Sequence, residues 1–184
     1  PTRLALHFIL AMGLLCYTFW FAVQLKVKRE QITQNKFISN FTIALVPLLV
    51  IQLLFGALMA GHKAATAAPT WPTINNEWLP AALFKETPFL VNFIENKITI
   101  HFFHRTIAYI FFVLILIWYY KSAKVQGSAL FTSTRFIPPA LVLLQVLLGI
   151  LTVLNATYPN RLITLGVSHQ FVAMILLMVI FSLL

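Results

Sequence analysis

Three histidines lie inside apolar stretches long enough to cross a bilayer, and each has alanine four residues on: His7 with Ala11, His104 with Ala108, His169 with Ala173. An ionisable side chain within a membrane span is costly and by default marks a functional site. On a helix, the i, i+4 spacing puts the small residue on the histidine's own face, one turn along. That clears room beside the imidazole for something flat and wide, and a porphyrin answers to it. Neutral imidazole is an axial ligand for haem iron, and two imidazoles from facing helices give a six-coordinate, electron-carrying b-type haem. The bland alternative is a hydrogen-bonded interior histidine. Proton relay is the sharper rival, but relays string histidines together with acids, and no span here contains an acid.

A haem carries two propionates that need cations or water. Arg105, beside His104, is the first candidate; Arg161, Lys97 and Lys63 also lie near the same boundary. An arginine so placed could instead snorkel to the surface. Gln145 and Gln170 read either as hydrogen-bond partners of the ligands or as partners of each other across helices. His101 and His62 read first as interfacial polar residues, with a propionate or proton-relay role as the alternative for His101. Nothing else offers chemistry: there is no phosphate loop, no nucleophile with a base beside it, and no Cys/His spacing suited to zinc.

Composition sets the elements that must position these residues. The chain has 184 residues, 60% hydrophobic and 9% charged, with a mean hydropathy of +0.90. Soluble domains carry about 25% charged residues, so the expected fold class is all-α, a polytopic membrane protein. Five apolar segments, roughly 3–25, 40–62, 98–120, 136–156 and 163–184, are each near the ~20 residues that span a bilayer as a helix. Strands are excluded, since segments this long show no alternation. Cys16 is alone and inside a span, so it reads as an apolar filler.

The net charge of +9 could suggest nucleic acid, but the cations cluster in short loops beside spans and favour the lipid bilayer as partner. Connection 26–36 carries Lys26, Lys28, Arg29 and Lys36 against Glu30, and 121–135 carries Lys121, Lys124 and Arg135. The positive-inside rule puts both in the cytoplasm. The first, third and fifth segments then run inward, and all three histidines lie a few residues past the outer boundary.

An internal repeat pairs two of them. Leu48-Leu49-Val50-Ile51-Gln52-Leu53-Leu54-Phe55-Gly56 matches Leu141-Val142-Leu143-Leu144-Gln145-Val146-Leu147-Leu148-Gly149, and each run is followed by an outer loop and a histidine-bearing helix. The last four helices are therefore expected to form a four-helix bundle binding haem between facing helices. Gly56 and Gly149 are read as points of close helix approach, with no chemistry. The long outer loop 63–97, with its prolines and tryptophans, is expected to be an ordered interfacial lid, with a short amphipathic helix near 79–84. The expected division is 1–36, the last helix of a truncated N-terminal half plus a cytoplasmic linker, and 37–184, the haem domain. The chain begins at Pro1 and ends within an apolar run, so it reads as a fragment whose missing part lies upstream.

These motifs together resemble the haem A synthases. Leu4-Ala5-Leu6-His7 resembles that family's fourth helix. Gly56-Ala57-Leu58-Met59-Ala60-Gly61, Thr70-Trp71-Pro72 and Trp78-Leu79-Pro80 resemble the helix and loop that follow. Asn92-Phe93-Ile94-Glu95-Asn96 with Phe102-Phe103-His104-Arg105 is similar to its sixth-helix entry, and Gln145–Ile150 and Ser168-His169-Gln170 to its seventh and eighth helices. The resemblance covers nearly the whole chain. It implies an oxidoreductase of the bacterial inner membrane that converts haem O to haem A by oxidising a ring methyl to a formyl group. It implies haem b on His104 and His169, a substrate-haem site at His7, and contacts with haem O synthase and terminal oxidase assembly factors. This chain alone is expected to be inactive. The alternative reading is a non-catalytic b-type cytochrome subunit passing electrons from quinol.

Overall fold

The computed structural model describes residues 1–184 and is helical throughout its apolar segments. Each expected span becomes one long helix: α1 (Thr2–Lys26), α2 (Lys36–Gly61), α3 (Lys97–Ala123), α5 (Ile137–Leu154) and α6 (Pro159–Ser182). A six-residue helix, α4 (Ala129–Thr134), precedes α5. The five long helices are each apolar and long enough to cross a membrane. A helix satisfies its own backbone, which hydrocarbon cannot, and the chain is an integral membrane protein.

Local chemistry sets the helix starts. The Asn35 side chain accepts from the Ile38 amide at 3.0 Å and caps α2, which starts at Lys36, ahead of the apolar run. Asn96 does the same for α3, accepting from the Ile98 and Thr99 amides at 3.0 and 3.1 Å. These caps satisfy amides that a helix start leaves without partners. Helices α5 and α6 have no side-chain cap; proline in their first turn lacks the orphan N–H and is already bent to helical φ.

Four helices close a ring in the order α2, α3, α5, α6, each packing on the next and α6 returning to α2. Helices α3 and α6 therefore face each other across a diagonal. Helix α1 lies outside the ring, against α2 and α6. The half of the bundle farther from His104 and His169 is a continuous apolar core that includes Leu45, Leu49, Phe111, Ile115, Leu176 and Ile180. Its one polar tie is buried: the Trp118 indole donates to Thr42 Oγ1 at 2.9 Å, and the Thr42 hydroxyl donates to the Ile38 carbonyl. The two basic connections meet beneath this core. Ser128 Oγ donates to the Gln31 carbonyl at 2.7 Å, and the Ser128 amide donates to Thr33 Oγ1 at 2.9 Å.

The outer loop folds over α3. Asn92 is fully buried and organises it: its amide nitrogen donates to the Glu86 and Phe89 carbonyls, while its oxygen accepts from the Glu86 amide. Phe84, Phe89 and Phe93 pack around Phe103 of α3, with ring centroids 5.1–6.2 Å apart. The amphipathic helix expected near 79–84 does not form. Residues 81–84 are turns, and short helical turns stand instead at 64–67 and 89–93. Pro80 cannot donate a helical hydrogen bond, and Phe84 takes a left-handed φ of 57° that a helix excludes.

Candidate functional site: two histidines across the bundle diagonal

His104 on α3 and His169 on α6 point into the same space, with ring centroids 6.4 Å apart and ring planes 73° from parallel. Both are largely withdrawn from the surface. A metal–imidazole bond is about 2 Å long. Two imidazoles bound on opposite sides of one metal ion then place their centroids roughly 6 Å apart. The observed separation leaves room for one ion between the rings. No group of three or more His, Cys, Asp or Glu side chains gathers anywhere in the chain. A metal held by this pair must bring its remaining donors with it, as a porphyrin does.

Each ring rests on a glycine of the preceding helix. A Cβ at Gly56 would lie 3.3 Å from His104 Cε1 and 3.8 Å from Nδ1. A Cβ at Gly149 would meet the same two atoms of His169 at the same distances. The glycines read as mere close-approach points are thus imidazole cradles, and the sequence repeat is a repeat of ring environments. The Cε1–Nδ1 edge of each ring therefore lies against a helix wall. Gln52, one turn before Gly56, reaches His104 with its amide nitrogen 3.2 Å from Nδ1. Sequence reasoning singled out Gln145 for this part and passed over Gln52, although the repeat aligns the two. Gln170, the other candidate, is exposed.

Arg105 is held by the protein itself. Its Nε donates to His101 Nε2 at 2.9 Å, and its terminal nitrogens donate to the carbonyls of Thr70 at 2.6 Å, Thr73 at 3.1 Å and Pro72 at 3.4 Å. Beside it the Trp71 indole donates to the Tyr109 hydroxyl at 3.0 Å. The guanidinium clamps the outer loop to the turn after His104 rather than snorkelling free. His101 corrects its sequence reading: it is fully buried, not interfacial. His62 ends α2, with Nε2 2.7 Å from the Ile94 carbonyl and 3.9 Å from Glu95.

The remaining cations are farther from use. Lys63 and Lys97 are exposed, and Arg161 donates to Asn155 Oδ1 at 3.3 Å while lying over the Tyr158 ring. His7 is exposed on α1, turned away from the helices that hold the other two histidines.

Comparison with known proteins follows the same pattern. The family model described as "Cytochrome oxidase assembly protein" matches residues 1–181. A "Heme A synthase" of Beijerinckia indica is 37% identical over 95% of this chain and 49% of its own length. Those of Bartonella quintana and Bradyrhizobium diazoefficiens are each 34% identical, over 95% of this chain and 48% of theirs. The chain thus spans about half the length of the curated relatives it matches. No solved structure matches it.

Proposed function

This chain belongs to the cytochrome oxidase assembly protein family, and we propose that it is the haem b-holding part of a haem A synthase. The reaction is oxidation of the haem O ring methyl to a formyl group. One observation carries the reading: two imidazoles on diagonal helices, 6.4 Å apart, each seated on a glycine at matching distances. His104 and His169 would hold the haem iron, and a haem so held would supply one-electron transfer.

The chain's own residues do the rest. Gly56 and Gly149 let the rings lie flat against their helices. The clamp from Arg105 to Thr70, Pro72 and Thr73 holds a lid over one side and limits water. With four of its five N–H groups directed at protein acceptors, Arg105 has a single donor left for a propionate. The clamp is therefore its main task and propionate contact a secondary one.

His7 would serve the substrate haem from the face of α1 that no helix of this chain covers. Residues 1–36 then belong with that substrate site and 37–184 with haem b. The basic connections would face the cytoplasm across a bacterial inner membrane, with the histidines near the outer surface. Haem O synthase and oxidase assembly factors are the partners this activity needs.

Chain purified from membranes is expected to show a b-type reduced-minus-oxidised spectrum. Its absence after haem loading removes this reading. Haem O supplied to the whole protein, followed by pigment extraction, should yield haem A; a b-type spectrum without that product would leave a plain cytochrome.

A further inference from the structure

Four buried polar side-chain atoms have no hydrogen-bond partner: Oε1 of Gln52, Oε1 of Gln145, Nδ1 of His169 and Nδ1 of His101. Buried polar groups are almost always paired, so each such atom asks for an explanation. Three of these belong to the two histidine seats. Gln52 stands four residues before Gly56, and Gln145 four before Gly149, so glutamine and glycine share a helix face one turn apart. The glycine receives the Cε1–Nδ1 edge of the ring; the Gln52 amide reaches the His104 ring, while Gln145 Oε1 and His169 Nδ1 both stand without a partner.

At His104 the amide nitrogen of Gln52 lies 3.2 Å from Nδ1 and 3.4 Å from Nε2. The nitrogen and oxygen of an amide are nearly the same size, and their assignment follows from the hydrogen-bond network. A nitrogen donating to Nδ1 would place the ring proton on Nε2, the atom that must be bare to bind iron. A half-turn of the amide exchanges the two atoms. The orphaned Oε1 then comes to the ring nitrogens, and by accepting from Nδ1–H it would leave Nε2 bare.

We infer that Gln52 and Gln145 are positioning residues whose amide oxygens accept from Nδ1–H of His104 and His169, so that each Gln-x-x-x-Gly fixes the tautomer and plane of an iron-binding imidazole. The inference rests on the haem-binding reading above and assigns to it a duplicated support built into α2 and α5. A metal-bound histidine commonly donates its second N–H to an acceptor, which makes the ring a more basic ligand. A more basic ligand stabilises ferric over ferrous iron and lowers the reduction potential. The sign of the effect is therefore set by the acceptor: removing it raises the potential, and strengthening it to a carboxylate lowers the potential.

The test uses the whole chain loaded with haem b and titrated against redox mediators. Gln52→Met and Gln145→Met keep length and lose the acceptor. Each should retain the b-type spectrum but raise the ratio of reduced to oxidised haem at the wild-type midpoint by about tenfold, equivalent to about 59 mV for a one-electron couple. Gln52→Glu and Gln145→Glu should move the ratio the other way. Gln→Asn, too short to reach, stands in where a Glu variant does not assemble, and should move with Met. Unchanged ratios, or Met and Glu shifts of the same sign, overturn the inference, because a merely structural glutamine has no reason to reverse sign. Failure of the premise looks different: wild-type chain then shows no haem signal. A wild-type signal that disappears in His104→Ala but is unmoved by the glutamine variants removes only the proposed seat.

Discussion

In the α2–α3 pair, the connection between the helices folds back over the turn that follows His104 and is tied there by Arg105 and Tyr109. In the α5–α6 pair the connection is a tight turn at Asn155–Tyr158, and nothing folds over His169. The repeat aligns His101 and Arg105 with Gly166 and Gln170. A Cβ at Gly166 would meet nothing within 4 Å, and an open cleft of about 510 Å³ lies at the outer end of this pair, lined by residues including Asn155, Asn160, Arg161 and Thr164. The two copies hold their rings alike and cover them differently. On the proposed haem-binding reading, symmetry would serve ligation, where one metal needs two equivalent donors. Asymmetry would serve access, since a cofactor covered equally on both sides would be harder to load and to reach.

Removing either ring should show the symmetric part most strongly. His104→Ala and His169→Ala are each expected to abolish the b-type spectrum of the purified protein, by an equal amount. If one variant kept most of its signal, the two copies would not be equivalent and a single-ligand site would replace the pair.

The lid should show the asymmetric part. Arg105→Lys keeps the charge but loses the planar fork that reaches three carbonyls. Hydrogen bonds to a charged group contribute about 1.5–3 kcal/mol. Amide exchange in residues 70–77 should therefore speed up by roughly 10- to 100-fold. Gln170→Leu, at the aligned position of the other copy, should leave exchange around 155–162 as it is. Equal responses at the two ends would mean that the loop is held by its own packing and not by Arg105.

Glycines separate the shared feature from the unshared one within a single substitution type. Gly56→Ala and Gly149→Ala place a methyl 3.3 Å from Cε1 of a ring that is held in place. Overpacking of this kind costs about 1–3 kcal/mol, read as faster loss of haem to an acceptor such as apomyoglobin. Gly166→Ala meets open space and should stabilise α6 by about 0.5–1 kcal/mol through helix propensity. A Gly166→Ala that weakened haem retention as much as Gly149→Ala would show that general helix packing, not the ring seat, sets the effect.

Much of this arrangement was legible in the sequence because membranes leave few choices. Five apolar runs, the positive connections and the Gln–Gly repeat were enough for the helices, their order and the His104–His169 pair. What escaped depends on contacts between distant residues. Gln52 was invisible as a partner of His104 because they are 52 residues apart and meet only after the helices pack, although its alignment with Gln145 was a usable clue. His101 was misplaced because its burial is created by Arg105 and the folded loop, which no local pattern encodes. The helix expected near 79–84 fails for a local reason: Pro80 opposes helix, Leu79 stays exposed, and Phe84 takes a left-handed φ while packing on Phe103. His7 keeps its depth along the span, but its exposed face gives it no partner among the helices described.

The helix caps carry the comparison to its smallest effect. The α2–α3 pair starts both helices with asparagine, while the α5–α6 pair uses proline. Asn35 only caps: its side chain accepts from the Ile38 amide. Asn96 caps α3 and also donates to the Ala82 carbonyl at 3.0 Å and to Asn92 Oδ1 at 3.1 Å, so the lid and the start of the His104 helix share one residue. Loss of a cap alone costs about 1 kcal/mol. Asn35→Ala should lower stability by about that amount in a detergent unfolding titration, and Asn96→Ala by about 2 kcal/mol, because two further hydrogen bonds go with it. The more telling measurement is the haem spectrum of Asn96→Ala. If the lid orders the His104 side from outside, that variant should broaden the ferrous band while Asn35→Ala leaves it sharp. Equal band shapes would place the ordering of His104 wholly in its glycine and glutamine neighbours, and reduce the asymmetric loop to a matter of access.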